Sequence, residues 1–251
     1  MIAAIAALLL AIELSPGATT DTVTLRGHSQ LVRLFGTPGA GAPVIVSSGD
    51  GGWIHLGPHV AEALAARGFF VIGFDARAYL QSFTSRSSTL RPDDVAADYR
   101  ELARYATRGS PVRPVLVGIS EGAGLSVLAA ADDATKSLIS GVIAIGLPDQ
   151  NELGWRWKDA WIYLTHGVPN EPTFSSAAFV GRVSPLPLAV IHSTRDEFVP
   201  AAQIRSMMDR AVNPKQLWMI DAADHRFSDN LPELDRRLVD AIAWVTGSHP
   251  R

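Results

Sequence analysis

A single serine lies where an apolar segment gives way to a helix-forming one, in the string Gly-Ile-Ser-Glu-Gly at 118–122. Residues 114–117 before it read Pro-Val-Leu-Val, and residues 123–129 after it are small or apolar, apart from one serine. A strand that runs straight into a helix at a serine between glycines is the sequence form of a nucleophile elbow. Such a turn strains the backbone and projects the hydroxyl above the sheet. The pattern predicts that Ser120 is a nucleophile.

An acid and a histidine follow this serine in the order that an elbow nucleophile needs. Serine attacks only when a base takes its proton, and the base needs an acid to orient it. Asp196 follows the apolar segment 188–192, and His225 follows the apolar segment 217–220. Because functional side chains gather where the strands of such a sheet end, we predict a triad of Ser120, His225 and Asp196.

Neighbouring side chains offer alternatives for the acid and the base. Glu197 is a rival acid beside Asp196, and Asp224 could be a local partner of His225. His192 ends its own strand and is expected to pack or to bond locally. An aspartate after a strand is also a common turn or capping residue. The order Ser, acid, His nevertheless favours the triad.

A glycine-rich loop provides candidates for stabilising the negative oxygen that forms during acyl transfer. Residues 47–53 read Ser-Ser-Gly-Asp-Gly-Gly-Trp and follow the apolar segment 44–46. Backbone N–H groups aimed at that oxygen form an oxyanion hole. We assign one donor to Glu121, next to the nucleophile, and the other to Asp50 or Gly51. The string matches no nucleotide-binding fingerprint, and a purely structural turn is the alternative.

Length and composition fit one α/β domain and exclude several kinds of site. The chain has 251 residues, a formal net charge of −3 and no cysteine. Disulfides, thiolate metal sites and cysteine nucleophiles are therefore excluded, and nothing indicates a nucleic-acid partner. The histidines form no close ligand pair on a helix face, so we predict no metal and no cofactor.

Apolar segments that predict strands alternate with segments of helical periodicity. This alternation predicts an α/β fold in which a mostly parallel sheet is covered by helices on both faces, opened by two antiparallel strands. The predicted strands are 23–25, 31–35, 44–46, 69–74, 115–119, 141–145, 188–192 and 217–220, and the main predicted helices lie around 60–64, 92–107, 121–129 and 232–246.

An aromatic-rich insert at about 149–185 interrupts this alternation. A connection of this length is usually functional or carries structure of its own. One interpretation is a cap whose aromatic wall binds an apolar substrate; the other is a packed excursion whose tryptophans fill the core. The candidate substrate-binding residues are Trp53, Trp155, Trp157 and Trp161.

The N-terminus carries an apolar segment from Ile2 to Ile12, followed by small residues near 15–18. The segment is too short to span a bilayer and fits the core of a secretory signal, although no Lys or Arg precedes it. We predict a signal peptide at 1–18, a single domain at 19–251, and export to the periplasm or beyond. A buried N-terminal helix and an uncleaved anchor are the alternatives.

Over about 20–250 the chain resembles α/β-hydrolases, and two strings narrow the resemblance. Ser-Gly-Asp-Gly-Gly-Trp at 48–53 and Val-Ile-Gly-Phe-Asp at 71–75 are similar to the bacterial virulence protein family VirJ, whose longer relative is AcvB. Asp98, Tyr99 and the regions of the triad fit as well. The resemblance implies an α/β-hydrolase fold, a periplasmic location and serine-hydrolase activity.

Through AcvB-type proteins, the resemblance also implies an aminoacylated phosphatidylglycerol as the ester. Such a substrate would bring a lipid, contact with a membrane surface and a cationic head group, for which Asp50 or Glu121 could be the partner. Two alternatives stay open: an amidase or peptidase with the same triad, and an exported binding protein that keeps the fold without turnover.

Overall fold

The computed structural model describes residues 18–39, 41–109, 112–156 and 171–247. Ten strands and seven α-helices are described in these ranges. The strands are β1 (Thr19–Leu25), β2 (His28–Phe35), β3 (Val44–Ser47), β4 (Val71–Phe74), β5 (Val115–Ile119), β6 (Gly141–Ile145), β7 (Gln150–Glu152), β8 (Thr173–Ser175), β9 (Leu188–Ser193) and β10 (Lys215–Ile220). The helices are α1 (Leu56–Ala65), α2 (Ala76–Phe83), α3 (Pro92–Ala106), α4 (Glu121–Ala130), α5 (Asp133–Lys136), α6 (Ala201–Arg210) and α7 (Leu231–Thr246).

Eight of the strands form one sheet in the order β1-β2-β4-β3-β5-β6-β9-β10. Strand β2 pairs antiparallel with both β1 and β4, whereas all neighbours among β4, β3, β5, β6, β9 and β10 pair in parallel. The predicted mostly parallel sheet with an antiparallel opening is therefore confirmed. The carboxyl ends of β3, β5, β6, β9 and β10 meet at one edge, which we call the catalytic edge.

Helices cover the sheet on both faces, and each face has its own apolar cluster. Helices α1 and α7 pack on one face through residues such as Val60, Leu64 and Leu238. Helices α3, α4 and α6 contribute to the other cluster, which includes Leu102 and Leu125. The strands between the two clusters are buried on both sides, which explains why their sequences are continuous apolar segments rather than alternating ones.

Helix α4 is enclosed on all sides, since all ten of its residues are buried. It packs between α3 and the ends of β5 and β6. Its residues are mostly Gly, Ala, Leu and Val, which a helix surrounded on all sides requires. The helix that follows the predicted nucleophile therefore belongs to the rigid centre of the molecule.

Four elements were not predicted: helices α2 and α5 and strands β7 and β8. Helix α2 begins after Asp75, whose carboxylate accepts a hydrogen bond from the Ala78 N–H and so caps the helix. The antiparallel pair of β7 and β8 lies within the aromatic-rich insert. The predicted signal peptide, apart from Ala18, and two candidate tryptophans, Trp157 and Trp161, lie outside the described residues. In the described ranges, each helix is too short or too polar to cross a bilayer.

Candidate active site

Ser120 occupies a strained corner between β5 and α4. Its backbone has φ 51° and ψ −118°, a conformation that a residue with a side chain rarely adopts. Two hydrogen bonds hold the corner: the Ser120 N–H donates to the Ile145 carbonyl at 2.8 Å, and the Ser120 carbonyl accepts from the Ala123 N–H at 2.8 Å. Strain of about 1–3 kcal/mol persists only where the surroundings enforce it, and it is common at functional sites.

The glycine that follows the corner allows the helix to approach the sheet. A Cβ on Gly122 would lie 2.4 Å from the carbonyl oxygens of both Ser47 and Ser48, at the end of the neighbouring strand β3. A side chain at this position would push the start of α4 away from the sheet. Gly122 therefore allows the close packing that positions Ser120.

Asp196 and His225 form a short, buried hydrogen bond at the catalytic edge. The distance from His225 Nδ1 to Asp196 Oδ2 is 2.6 Å. The other carboxylate oxygen, Oδ1, accepts from the backbone N–H groups of Phe198 at 2.9 Å and Val199 at 2.8 Å. Burial alone would raise the pKa of Asp196, but the hydrogen bonds and charge of His225 and the Val199 N–H outweigh it, so the pKa is below its usual value. The carboxylate therefore stays ionised beside the imidazole.

The rival acids lie nearby but do not contact the imidazole. Glu197 accepts a hydrogen bond from the backbone N–H of His225 at 2.8 Å. Asp224 accepts from the backbone N–H groups of Arg226 and Ser228, each at 3.0 Å. Glu197 and Asp224 shape the loop that carries His225, whereas Asp196 alone of the three bonds to the ring.

The His225 imidazole lies against Gly146, one residue after the chain segment that bonds to the backbone of Ser120. A Cβ on Gly146, whose φ is +59°, would lie only 2.5 Å from His225 Cε1 and 3.3 Å from Nε2. Gly146 directly follows Ile145, the residue whose carbonyl accepts the Ser120 N–H. The ring therefore lies over the chain next to Ser120. The described hydrogen bonds include none between the Ser120 hydroxyl and His225, and catalytic bonds of this kind often tighten only when substrate binds.

The glycine-rich loop passes close to Ser120 on the other side. A Cβ on Gly49 would lie 3.3 Å from Ser120 Cβ, and the Gly49 carbonyl accepts from the Gly52 N–H at 3.0 Å. The Gly51 N–H donates to the carboxylate of Asp50 at 2.8 Å. The Gly51 N–H is thus engaged by a side chain, which favours Asp50 over Gly51 as the predicted donor in this loop.

Glu121 has a buried carboxyl group on the side of the elbow that faces the insert. Its Oε1 accepts from the Glu152 N–H of β7 at 2.8 Å. Burial, and then the like charges of Glu152 and Asp50, raise the pKa of Glu121 well above its usual value. Burial therefore favours the neutral, protonated form of this carboxyl group. The backbone N–H is in the first turn of α4, where it has no partner within the helix.

The two described candidate tryptophans pack against the scaffold. Trp53 lies on β4, because a Cβ on Gly73 would be 2.2 Å from its ring. Trp155 is only 3% exposed and belongs to the core, with the Arg77 guanidinium 5.5 Å from its ring centre. This packing is the alternative interpretation given for the insert, and it disfavours direct contact with a substrate. Such contact stays a prediction for all four tryptophans.

Two residues of the site were not predicted. Gly146 could have been found as a glycine directly after a buried strand that ends at the catalytic edge. Phe198 is 56% exposed, and its ring lies edge-on to the His225 imidazole with 5.5 Å between centres. In the sequence, Phe198 is only an apolar residue in a loop close to a candidate acid. That pattern is too common to predict a site residue.

A family model described as bacterial virulence protein (VirJ) matches residues 42–244. The chain belongs to the VirJ family. The match includes the loop at 47–53, the elbow and the loops that carry Asp196 and His225. This VirJ-family chain is also 26% identical over 190 residues to the uncharacterized protein YfhR of Escherichia coli O157:H7, covering 75% of this chain and 65% of YfhR. It thus spans about two thirds of that relative's length.

Solved structures share the fold of this VirJ-family chain at low sequence identity. The α/β hydrolase GrgF from Penicillium sp. sh18 superposes with a TM-score of 0.68 at 15% identity, covering 92% of this chain and 99% of that chain. A dienelactone hydrolase from Anabaena variabilis has a TM-score of 0.66 at 16% identity, covering 90% and 97%. The predicted α/β-hydrolase fold and the resemblance to VirJ are therefore confirmed.

Proposed function

We propose that this VirJ-family chain is a serine hydrolase that cleaves a carboxylic ester through an acyl-enzyme. The observation that carries the proposal is the arrangement around Gly146. The imidazole bonded to Asp196 lies against Gly146, one residue along the chain from the carbonyl that accepts the Ser120 N–H. A serine on a strained corner, an imidazole and an ionised carboxylate near the carboxyl ends of neighbouring strands support the proposal, because acyl transfer requires a nucleophile, a base and an acid.

In the proposed reaction the Ser120 oxygen bonds to the acyl carbon while His225 Nε2 takes the hydroxyl proton. Asp196 holds Nδ1–H and stabilises the positive imidazolium ring. The carbonyl oxygen, now negative, accepts hydrogen bonds from the N–H groups of Glu121 and Asp50. When the carbonyl re-forms, the alcohol leaves with the proton from His225. Water then attacks the acyl-enzyme by the same route and releases the acid and Ser120.

Reaction with a fluorophosphonate probe and turnover of an activated aryl ester test this proposal. Ser120→Ala should lose both, with turnover lower by about a million-fold, as expected when a triad serine is removed. Ser137→Ala is the matched control, because Ser137 is an exposed serine that bonds only to its own helical turn. Labelling or turnover that survives Ser120→Ala would contradict the proposal, and a wild type that neither labels nor turns over would favour the non-catalytic binding protein.

For the substrate, we propose an ester with a cationic group near the acyl carbon, as in an aminoacylated phosphatidylglycerol. The support is the family and the acidic surroundings of the elbow, since Asp50 and Glu152 are close enough to Glu121 to raise its pKa. A substrate ammonium group near these side chains would reduce their mutual repulsion. The same site would hold such a lipid at a membrane surface outside the cytoplasm, which agrees with the proposed export.

A matched pair of esters tests the substrate. An aminoacyl ester should be cleaved with a lower KM than an acyl ester of the same length without the amino group. Asp50→Asn should remove the preference, while Asp93→Asn, at an exposed position on α3, should leave it unchanged. Equal KM values for the two esters in the wild type would contradict the cationic substrate. An amide cleaved faster than its ester would favour the amidase alternative.

A further inference from the structure

His192, near the end of β9, lies beneath the loop that carries Asp196. The residue is completely buried. Its Nε2 is 2.9 Å from the carbonyl oxygen of Val199 and 3.8 Å from Asp196 Oδ2. The proposed reaction leaves this second histidine without a role. Its position beside the acid of the triad makes it the strongest unexplained group near the site.

The partner of Nε2 fixes the state of the ring. A carbonyl oxygen can only accept a hydrogen bond, so Nε2 must carry the proton and donate it to Val199. The other nitrogen, Nδ1, is buried and has no hydrogen-bond partner in the described part of the chain. Burial lowers the pKa of His192, although the Val199 carbonyl and the charge of Asp196 oppose this effect; the charges of His225 and Arg205 act with burial. The ring therefore stays neutral.

The bond from His192 closes a chain of contacts that ends at His225. Val199 receives the His192 N–H on its carbonyl and donates its own N–H to Asp196 Oδ1 at 2.8 Å. With Oδ1 occupied by this bond and by the Phe198 N–H, Asp196 presents Oδ2 to His225 Nδ1 at 2.6 Å. The strand thus holds the 196–199 turn through one imidazole, and the turn orients the carboxylate.

We propose that His192 is a positioning residue for the triad, which fixes the orientation of Asp196 by tying the Val199 carbonyl to β9. This inference rests on the proposed function. Without this hydrogen bond, the 196–199 turn would be held to β9 only through the backbone at 193–195, and Oδ2 would be held less firmly against the imidazole. Loss of the bond should destabilise the transition state, in which the positive imidazolium of His225 needs the carboxylate of Asp196. Substrate binding should be little affected.

Three substitutions at His192 test the proposal on the full chain with an activated aryl ester. His192→Leu removes the donor at similar volume, His192→Gln can extend an N–H to the position of Nε2, and His192→Asn is too short to reach Val199. His192→Leu should lower kcat by about 100-fold with little change in KM, as expected for a misplaced catalytic group. His192→Gln should recover most of this loss, and His192→Asn should not.

The pH profile separates positioning from general loosening of the core. In His192→Leu the carboxylate of Asp196 would be held less closely to the imidazole of His225, so the protonated form of His225 would be less stable. The acid limb of kcat/KM should therefore move to lower pH. Ile191→Val is the matched control, because it removes a methyl group from the same buried strand and should leave both kcat and the acid limb unchanged.

Each outcome decides the question. Wild-type kcat in a folded His192→Leu, or equal losses in the Gln and Asn variants, would overturn the positioning role. If His192→Leu does not fold, the comparison of Gln with Asn decides alone. Failure of the wild type to react with a fluorophosphonate would overturn the proposed function together with this role. Normal labelling of the wild type, combined with unchanged kcat in the folded His192 variants, would overturn this role only.

Discussion

The His225 imidazole lies directly on the α-carbon of Gly146: a Cβ there would be 2.5 Å from Cε1 and 3.0 Å from Nδ1. We therefore expect Gly146→Ala to displace the ring from Ser120 and to lower kcat/KM on an aryl ester by about 100-fold. Alanine at φ +59° should also lower the free energy of unfolding by about 1 kcal/mol or more.

Gly247→Ala is the control for the effect of alanine on the backbone. Gly247 ends α7 with φ +65°, and a Cβ there would meet no atom within 4 Å. It should lose a similar amount of stability in urea titrations and retain full activity. Equal activities of the two variants would show that the contact with Gly146 does not position the base.

Replacing Asp196 with Asn should be far more damaging than replacing its neighbour. Asn can donate to His225 Nδ1 and would hold the imidazole in the wrong tautomer, so kcat should fall by about 10⁴-fold. Glu197→Gln keeps an oxygen that can accept the His225 backbone N–H, so its kcat should stay within a few fold of the wild type. The kcat of both variants is measured with an aryl ester. A larger loss of kcat in Glu197→Gln than in Asp196→Asn would indicate that Glu197 is the acid.

Glu121→Gln should change how stability depends on pH. Burial and neighbouring charges raise the pKa of Glu121 above its usual 4.5 in the folded state. Below about pH 4.5 the carboxyl is protonated in both states. As pH rises further, the unfolded chain loses the proton while the folded chain keeps it, so this group lowers the free energy of unfolding until the raised pKa is passed.

The glutamine variant lacks this titration, so its Tm should rise relative to that of the wild type as the pH increases above about 4.5. Glu101→Gln is the control, because Glu101 is half exposed on α3 and pairs only with Arg104. Parallel Tm–pH curves for the wild type and Glu121→Gln would show that the buried carboxyl ionises normally.

His55 and Ser120 share one unusual backbone conformation but not one role. His55, just before α1, has φ 53° and ψ −112°, and its side chain makes no capping hydrogen bond. His55→Gly should therefore relieve strain and raise the free energy of unfolding by about 1 kcal/mol without loss of activity. Ser120→Gly should give a similar gain in urea titrations but abolish turnover. A destabilised His55→Gly would mean that its side chain contributes contacts that outweigh the strain.

The fold could be predicted well because its signals are local. Parallel strands buried on both faces are continuous apolar segments, and the elbow has a fixed strand-to-helix pattern. Helix α2 was missed although Asp75 is a good N-cap residue, because the strongly polar Arg, Gln and Ser within 76–83 hide its apolar periodicity. Strands β7 and β8 have only three residues each, too few for any period to show.

The contacts that assemble the site depend on distant parts of the chain. The order Ser, acid, His pointed to the three candidates, with Asp196 predicted as the acid and Glu197 as its rival; the 2.6 Å distance from Asp196 to His225 distinguishes the two. The position of Gly146 under the imidazole and the bond from His192 to Val199 both follow from how neighbouring strands end. Such relationships have no local signal, since each residue alone has several common structural roles.

The complete enclosure of α4 limits where natural or laboratory evolution can alter this protein. Most new side chains on that helix would have to displace core atoms, so libraries that randomise it should yield few soluble clones. Ile54 and Phe198, by contrast, are 50% and 56% exposed near the catalytic edge. A change of substrate preference is therefore more readily acquired by mutations at these two rim positions, with the helix behind Ser120 left intact.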